Sequence, residues 1–259
     1  MFDYLKSGFI KVEIKGKVAI ISIDHPPVNA ISIDMLCDLF KAFEWIPDDK
    51  SIRVIVLNAI GKHFSAGADI NTFRQLPLGG NTPYGNAIMN QIERCPLPVI
   101  ACIHGACLGG GMEMTLACDI RVAAESSQLG LVEGTLGLAP NYGGCTRLPW
   151  LIGEGNAKML LFTAERFSAQ RGKELGIIQE VYPDDELMER TMELANRIAK
   201  NAPLSAMVNK KVILHSRNSV IAPGLIEEEW AARYLARSED KDEGWRARKE
   251  KRDPEFQNK

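Results

Sequence analysis

Short runs of aliphatic and β-branched residues alternate with amphipathic stretches along the first 145 residues. The runs at 17–23 and 53–58 predict β-strands. Between them, Ser32 is suited to cap a helix. The apolar positions of that helix recur at helical spacing and are Met35, Leu36, Leu39, Phe40 and Phe43. A strand, a helix and a strand in this order predict a right-handed crossover between parallel strands.

The same alternation continues further along the chain. The pattern predicts a helix at 83–95, a strand at 98–103, a glycine-rich turn into a helix at 111–118 and a strand that begins at 120. Strands and helices that alternate in this way are typical of α/β proteins.

Beyond about residue 145 the strand signal weakens and helical patterns dominate. Helices are predicted at 154–163, 168–175, 184–200, 203–217 and 223–237, with Ser168 and Asp184 as N-caps of two of them. Acidic and basic residues are interleaved at 239–253, which favours a solvated or subunit-contact helix. We therefore expect an α/β core over 1–200 and a helical region over 201–259.

Composition and charge restrict the class of protein. A chain of 259 residues with 46% hydrophobic and 25% charged residues can bury a large core without disulfides or metals. A net charge of −2 gives no general excess of cations for nucleic acid, so we expect no nucleic-acid partner. Neither a secretory signal nor a membrane-spanning apolar run is expected.

The cysteines indicate a reducing compartment. Six are present, at 37, 95, 102, 107, 118 and 145, and none forms a CxxC pair. With only four histidines in the chain, this spacing favours buried free thiols over a disulfide framework or a zinc site. The expected location is the cytoplasm.

Two loops that follow predicted strands are rich in small residues. One spans 61–70, and the other contains Gly109, Gly110 and Gly111 directly before a helix. Backbone N–H groups at such a helix start point toward negative charge. An isolated run of three glycines is equally compatible with a tight turn needed only for packing.

Two carboxylates accompany these loops. Glu133 lies between apolar residues, which predicts a raised pKa suited to proton transfer, although most single glutamates are solvated. Glu113 lies in the helix after the glycines. Backbone donors together with two carboxylates fit a reaction that passes through an enolate held in an oxyanion hole.

At these residues the sequence resembles the crotonase superfamily, and enoyl-CoA hydratases in particular. The motifs are FSAGADI, HGACLGGGMEMTLACDIRVA, and GLVEGTLGLAP followed by GG and TRL. The resemblance implies a spiral of ββα units with a C-terminal helical region that forms a homotrimer or a dimer of trimers. It also implies an acyl-CoA thioester substrate, with no cofactor beyond the coenzyme A that the substrate carries.

The resemblance further implies roles for individual residues. The N–H groups of Ala68 and Gly110 would bind the thioester oxygen, Glu113 would activate water, and Glu133 would protonate the α-carbon. The sequence alone does not divide the roles of the two glutamates. The implied substrate and coenzyme A contacts are Lys62, Ala66, Ala68, Asp69, Ile70, Gly110 and Lys251.

The implied activity is hydration of a 2-enoyl-CoA to a 3-hydroxyacyl-CoA. Double-bond isomerisation, decarboxylation, thioester hydrolysis and a non-catalytic binding role stay open, because a fold does not fix a reaction. His63 and His104 flank the donor loops, and we expect supporting roles for both.

Three residues depart from the pattern that the resemblance leads one to expect. Asn141 stands where a glycine is usual, and an Asn tolerates the left-handed backbone that such a turn requires. Tyr142 adds bulk that would reshape the acyl pocket. Arg248 replaces a phenylalanine near the expected coenzyme A site.

Overall fold

A computed structural model describes residues 5–69, 82–217, 234, 237–257 and 259. The strands of this part of the chain are β1 (Ile10–Lys15), β2 (Val18–Ile23), β3 (Val54–Ala59), β4 (Val99–Ile103), β5 (Ala106–Leu108), β6 (Ile120–Ala124), β7 (Gln128–Gly130), β8 (Phe167–Ser168) and β9 (Glu180–Tyr182). The helices are α1 (Ile33–Trp45), α2 (Thr82–Arg94), α3 (Gly110–Ala117), α4 (Gly144–Thr163), α5 (Ala169–Leu175), α6 (Leu187–Ala199), α7 (Pro203–Ser216) and α8 (Glu239–Glu250). Short 3₁₀ turns cover Ile46–Asp48 and Glu133–Leu136.

The strands form two sheets. The larger has the order β1-β2-β3-β4-β6-β9, in which β1 is antiparallel to β2 and the other pairings are parallel. The smaller has the order β5-β7-β8. β2, β3 and β4 are almost entirely buried, because α1, α2 and α3 cover one face of the large sheet and α6 covers the other. The predicted α/β class and parallel pairing are confirmed.

Two of the three predicted caps are correct. Ser32 accepts a hydrogen bond from Met35 N at the start of α1, and Ser168 accepts one from Arg171 N at the start of α5. The prediction for Asp184 is wrong, since α6 begins after Glu186 without a side-chain cap. Asp184 instead accepts hydrogen bonds from the backbone and hydroxyl of Ser126, which lies in the turn after β6.

The other differences involve strands that were not predicted and one interrupted helix. β1 was missed although its six residues alternate between apolar and polar side chains. β5, β7, β8 and β9 were missed because two or three residues are too few to show a period. α4 begins at Gly144 rather than at 154, because a kink at Gly153 joins two helical pieces. The predicted helix at 223–237 falls mainly outside the described residues. None of the described helices is both long enough and apolar enough to cross a membrane.

Two buried cations connect the last described helices to the core. Lys210 of α7 donates to the Asp119 carboxylate over 2.7 Å and to Leu97 O over 3.2 Å. Arg53, directly before β3, donates to Ala199 O over 3.2 Å and to Phe256 O. The chain beyond α6 therefore packs against the sheet at specific points.

Candidate active site

A cavity of about 370 Å³ lies where the loop after β3, the start of α3 and the segment after β7 meet. It is called here the central cavity. The residues that line it are Ala66, Gly67, Ala68, Gly109, Gly110, Glu113, Val132, Glu133, Leu136, Leu138, Ala139, Asn141 and Tyr142. The fold thus brings together five of the residues selected from the sequence, namely Ala66, Ala68, Gly110, Glu113 and Glu133. The position suits a ligand site, since α/β proteins bind ligands beyond the carboxyl ends of their strands.

The segment around Ala68 presents its backbone to the cavity. Ile31 N donates to Gly67 O over 2.8 Å, and Asp69 N donates to Ile31 O over 3.0 Å. These two bonds use Gly67 O and Asp69 N, which lie on either side of Ala68. The N–H of Ala68 itself is therefore not part of the pairing with Ile31. Gly67 has a φ of 101°, and a Cβ there would lie 3.2 Å from Leu108 O. A glycine is therefore required for this close approach.

The second donor is the first residue of α3. Gly110 follows Gly109, whose φ of 52° makes the sharp turn from β5 into the helix. The first N–H groups of a helix have no acceptor within it. A Cβ on Gly67 would lie 3.7 Å from Gly110 N, so the two donor segments are in direct contact. Two backbone segments that meet in this way can bind one negatively charged oxygen between them.

Glu113 lies one turn into α3 and is 1% exposed. Its Oε1 accepts hydrogen bonds from Tyr142 N and Gly144 N, each over 2.8 Å. These donors lie at the start of α4, where Gly143 adopts a φ of 105°. The left-handed residue of the turn is therefore Gly143 and not Asn141. Burial, the largest cause, and the nearby Glu133 carboxylate raise the pKa of Glu113 to about 7, while the N–H donors of Gly144 and Tyr142 and the charge of Arg147 act to lower it.

Glu133 begins the 3₁₀ turn after β7 and faces the same cavity. Its Oε2 is buried and has no hydrogen-bond partner among the described residues. Burial raises the pKa of this carboxyl, as its apolar neighbours in the sequence predict. Two carboxyls with raised pKa values in one cavity favour a state in which they share one proton.

The charge coupling between the two glutamates is directly measurable. Because the Glu133 carboxylate is among the causes that raise the pKa of Glu113, Glu133→Gln is expected to lower that pKa. Infrared titration of the carboxyl stretching band with labelled glutamate, taken as the difference from the same protein carrying Glu113→Gln, reports this pKa without any substrate. Glu154→Gln on the exposed surface is the matched control and should leave it unchanged. An unshifted Glu113 in the Glu133→Gln protein would show that the two groups titrate independently.

Three of the other expected contacts, Lys62, Asp69 and Lys251, do not line the central cavity. Lys62 and Lys251 are exposed, and Asp69 is half-buried. Ile70 lies outside the described residues, as does the side chain of Arg248. The described residues contain no cluster of three or more His, Cys, Asp or Glu that could hold a metal ion.

The two histidines make hydrogen bonds that connect the donor loops. Ala106 N donates to His63 Nδ1 over 3.1 Å, and a ring nitrogen of His104 lies 3.0 Å from Gly61 O. These contacts fit the supporting role expected for both residues.

Sequence reasoning missed the backbone groups that orient Glu113. The signal was present as Gly143-Gly144 directly before a helix, since such a turn exposes N–H donors. It also missed Leu136 and Leu138, which line the cavity although they are 60% and 47% exposed. An exposed leucine in a loop gives no sequence signal for a binding site.

Comparison with known proteins gives extensive matches. The profile of the family described as "Enoyl-CoA hydratase/isomerase" matches residues 13–259. A Bacillus subtilis protein named "Probable enoyl-CoA hydratase" is 35% identical over 254 residues, which cover 95% of this chain and 98% of that protein. "Short-chain-enoyl-CoA hydratase" of Clostridium acetobutylicum is 34% identical over 246 residues, which cover 93% of this chain and 94% of that protein. The crystal structure of an enoyl-CoA hydratase from Bacillus anthracis matches with a TM-score of 0.94 and 36% identity, covering 97% of this chain and 100% of that one. These likenesses confirm the predicted fold class.

Proposed function

Since the chain belongs to the enoyl-CoA hydratase/isomerase family of the crotonase superfamily, we propose that it adds water to 2-enoyl-CoA thioesters and forms 3-hydroxyacyl-CoA. The observation that carries the proposal is the pair of buried carboxyls, Glu113 and Glu133, in one cavity with the backbone donors of Ala68 and Gly110. Hydration needs all of these groups, because water must lose a proton while carbon gains one.

The N–H groups of Ala68 and Gly110 bind the thioester oxygen in this mechanism. They draw electron density from the double bond, so the β-carbon becomes electrophilic. When the water oxygen attacks that carbon, the π electrons move toward the carbonyl and an enolate forms. Each donor then contributes about 3 kcal/mol to stabilising the oxyanion, a typical value for such a group.

The two glutamates move the protons. The pair shares one proton, and in the state that reacts this proton is on Glu133. Glu113 is then ionised and accepts a proton from water as the new C–O bond forms, since Tyr142 N and Gly144 N fix one of its oxygens and leave the other for water. Glu133 is protonated and gives its proton to the α-carbon, which collapses the enolate. One water is consumed, and all of its atoms enter the product. Proton exchange then returns Glu113 to its ionised form and Glu133 to its protonated form.

We place the coenzyme A portion of the substrate outside the central cavity. Lys62 is exposed at the start of the loop that leads to Ala68, which suits a cation for a phosphate group. Asp69 and Ile70 continue that loop, and Ala66 is exposed where it enters the cavity. Lys251, exposed at the end of α8, is proposed as a second phosphate contact.

The proposed activity is tested with crotonyl-CoA and its longer homologues. The absorbance of the conjugated enoyl thioester is expected to fall after the protein is added, while 3-hydroxyacyl-CoA accumulates. A panel of 2-butenoyl, 2-hexenoyl, 2-octenoyl and 2-decenoyl thioesters covers different acyl lengths. If the absorbance falls with none of them, the protein is not a hydratase of straight-chain enoyl-CoA.

Double-bond isomerisation of 3-enoyl-CoA is the second candidate, because the family description includes isomerases. Isomerisation moves a proton from one carbon to another, so a single carboxylate suffices. Full activity of Glu113→Gln on a 3-enoyl-CoA would favour this reaction. Hydration requires both carboxyls, and their burial in one cavity is why it is preferred.

We also propose a homotrimer, or a dimer of trimers, that assembles through the 201–259 region of a cytoplasmic protein. The exposed apolar side chains of Ile213 on α7 and Trp245 on α8 support a covered surface in this region of the assembled protein. All six cysteines are free thiols, which supports a reducing compartment.

A further inference from the structure

The ring of Tyr142 packs between two glycines, and the residue is among those that line the central cavity. The residue is 1% exposed, and its side chain is the largest of the fully buried ones among the described residues. A Cβ on Gly85 of α2 would lie 2.2 Å from the ring, and a Cβ on Gly110 would lie 3.2 Å from it. The ring therefore occupies space that exists only because both neighbours lack a side chain.

The residues that line the cavity differ strongly in exposure. Leu136 and Leu138 are 60% and 47% exposed, so we take their side of the cavity as the side from which a substrate enters. Tyr142 lies at the opposite extreme of exposure. A thioester that enters past the leucines directs its acyl end toward the tyrosine ring.

The position of the reacting carbons fixes how far the acyl chain extends. In the proposed mechanism the thioester oxygen binds at Gly110 N, and the β-carbon must come within reach of the carboxyls. Tyr142 contacts both places, since its N–H holds Glu113 and its ring packs against Gly110. Carbons beyond the β-carbon therefore meet the ring after a short distance.

We propose that Tyr142 closes the acyl end of the cavity and restricts this protein to short-chain enoyl-CoA thioesters. This inference rests on the proposed function and names the substrate class of the same site. The cavity volume of about 370 Å³ agrees with it, because ligand pockets span about 300 to 1,000 Å³ and this one is near the lower limit.

The test is the ratio of kcat/KM for 2-octenoyl-CoA to that for crotonyl-CoA. The unaltered protein is expected to prefer crotonyl-CoA. Tyr142→Ala removes the ring and keeps the N–H that holds Glu113, and it is expected to raise the ratio by about 10-fold or more. One methylene in an apolar pocket already changes kcat/KM by about 10-fold to 200-fold.

Graded variants separate a specificity role from a packing role. Tyr142→Phe keeps the ring and should keep the preference for crotonyl-CoA, whereas Tyr142→Leu should give an intermediate ratio even if the alanine variant is poorly folded. Phe43→Leu is the packing control, since Phe43 is equally buried but does not line the cavity. It should leave the ratio unchanged, because loss of packing alone affects every acyl length alike.

The possible failures are distinguishable. If the unaltered protein hydrates 2-octenoyl-CoA as well as crotonyl-CoA, the inference about Tyr142 is wrong and the proposed hydratase function stands. The same holds if Tyr142→Ala and Tyr142→Leu leave the ratio unchanged. If no thioester of any length is hydrated, the proposed function itself fails.

Discussion

Glu113→Gln is expected to lower kcat for hydration of crotonyl-CoA by about 100-fold to 10,000-fold, the contribution usual for a general base. The amide is nearly the same size and still accepts hydrogen bonds from Tyr142 N and Gly144 N, so the turn that holds it should persist. What it loses is the ability to take a proton from water. The measurement is the initial rate of enoyl-thioester loss at saturating substrate.

Glu133→Gln and the double variant test whether the two carboxyls act as a unit. Glu133→Gln should show a loss of similar size, because protonation of the α-carbon then lacks its donor. The double variant should be little worse than either single one, since groups that act in one step are strongly non-additive. Glu154→Gln is the matched control at an exposed helix position. A Glu113→Gln protein with the unaltered rate would remove Glu113 from the mechanism.

The sequence predicted the parts of the fold that depend on burial pattern. β2, β3 and β4 are covered on both faces, so their residues form continuous apolar runs that stand out. α1 was equally clear, because one face packs on the sheet and Ser32 caps it. β8 has only two residues and pairs with β7 from a distant part of the chain. Its position depends on tertiary contacts, which no local pattern encodes.

The site was likewise predictable from the sequence only in part. The glycines and carboxylates were recognisable because the chemistry demands those residue types near predicted strand ends. The hydrogen bonds that Glu113 accepts were not recognisable from the sequence, because the backbone N–H groups of Tyr142 and Gly144 carry no residue-specific signal. The packing of Tyr142 against Gly85 was also hidden, because 57 positions separate the two residues in the sequence. Only the folded chain shows that the glycine makes room for the ring.

Glu113→Gln should also make the protein more stable at neutral and higher pH. Burial is the main cause that raises the pKa of Glu113 from its ordinary 4.5 to about 7 in the folded state. The folded protein therefore binds this proton more tightly than the unfolded chain does. Ionisation of Glu113 leaves the free energy of unfolding unchanged below pH about 4.5 and lowers it as the pH rises toward about 7. At higher pH the free energy of unfolding stays lower by roughly 3 kcal/mol, which is the pKa shift multiplied by 1.36 kcal/mol per pKa unit.

Glutamine cannot ionise, so it removes this deficit. Urea unfolding followed by tryptophan fluorescence should show a free energy of unfolding up to roughly 3 kcal/mol higher for Glu113→Gln at about pH 8, and nearly equal values at about pH 4.5. Glu154→Gln is again the control and should show no comparable gain. A Glu113→Gln protein that is less stable at about pH 8 would contradict the prediction, because the N–H groups of Tyr142 and Gly144 would then compensate the ionised carboxylate for its burial. The expected gain has a clear origin: a carboxylate buried for proton transfer at neutral pH destabilises the fold that holds it.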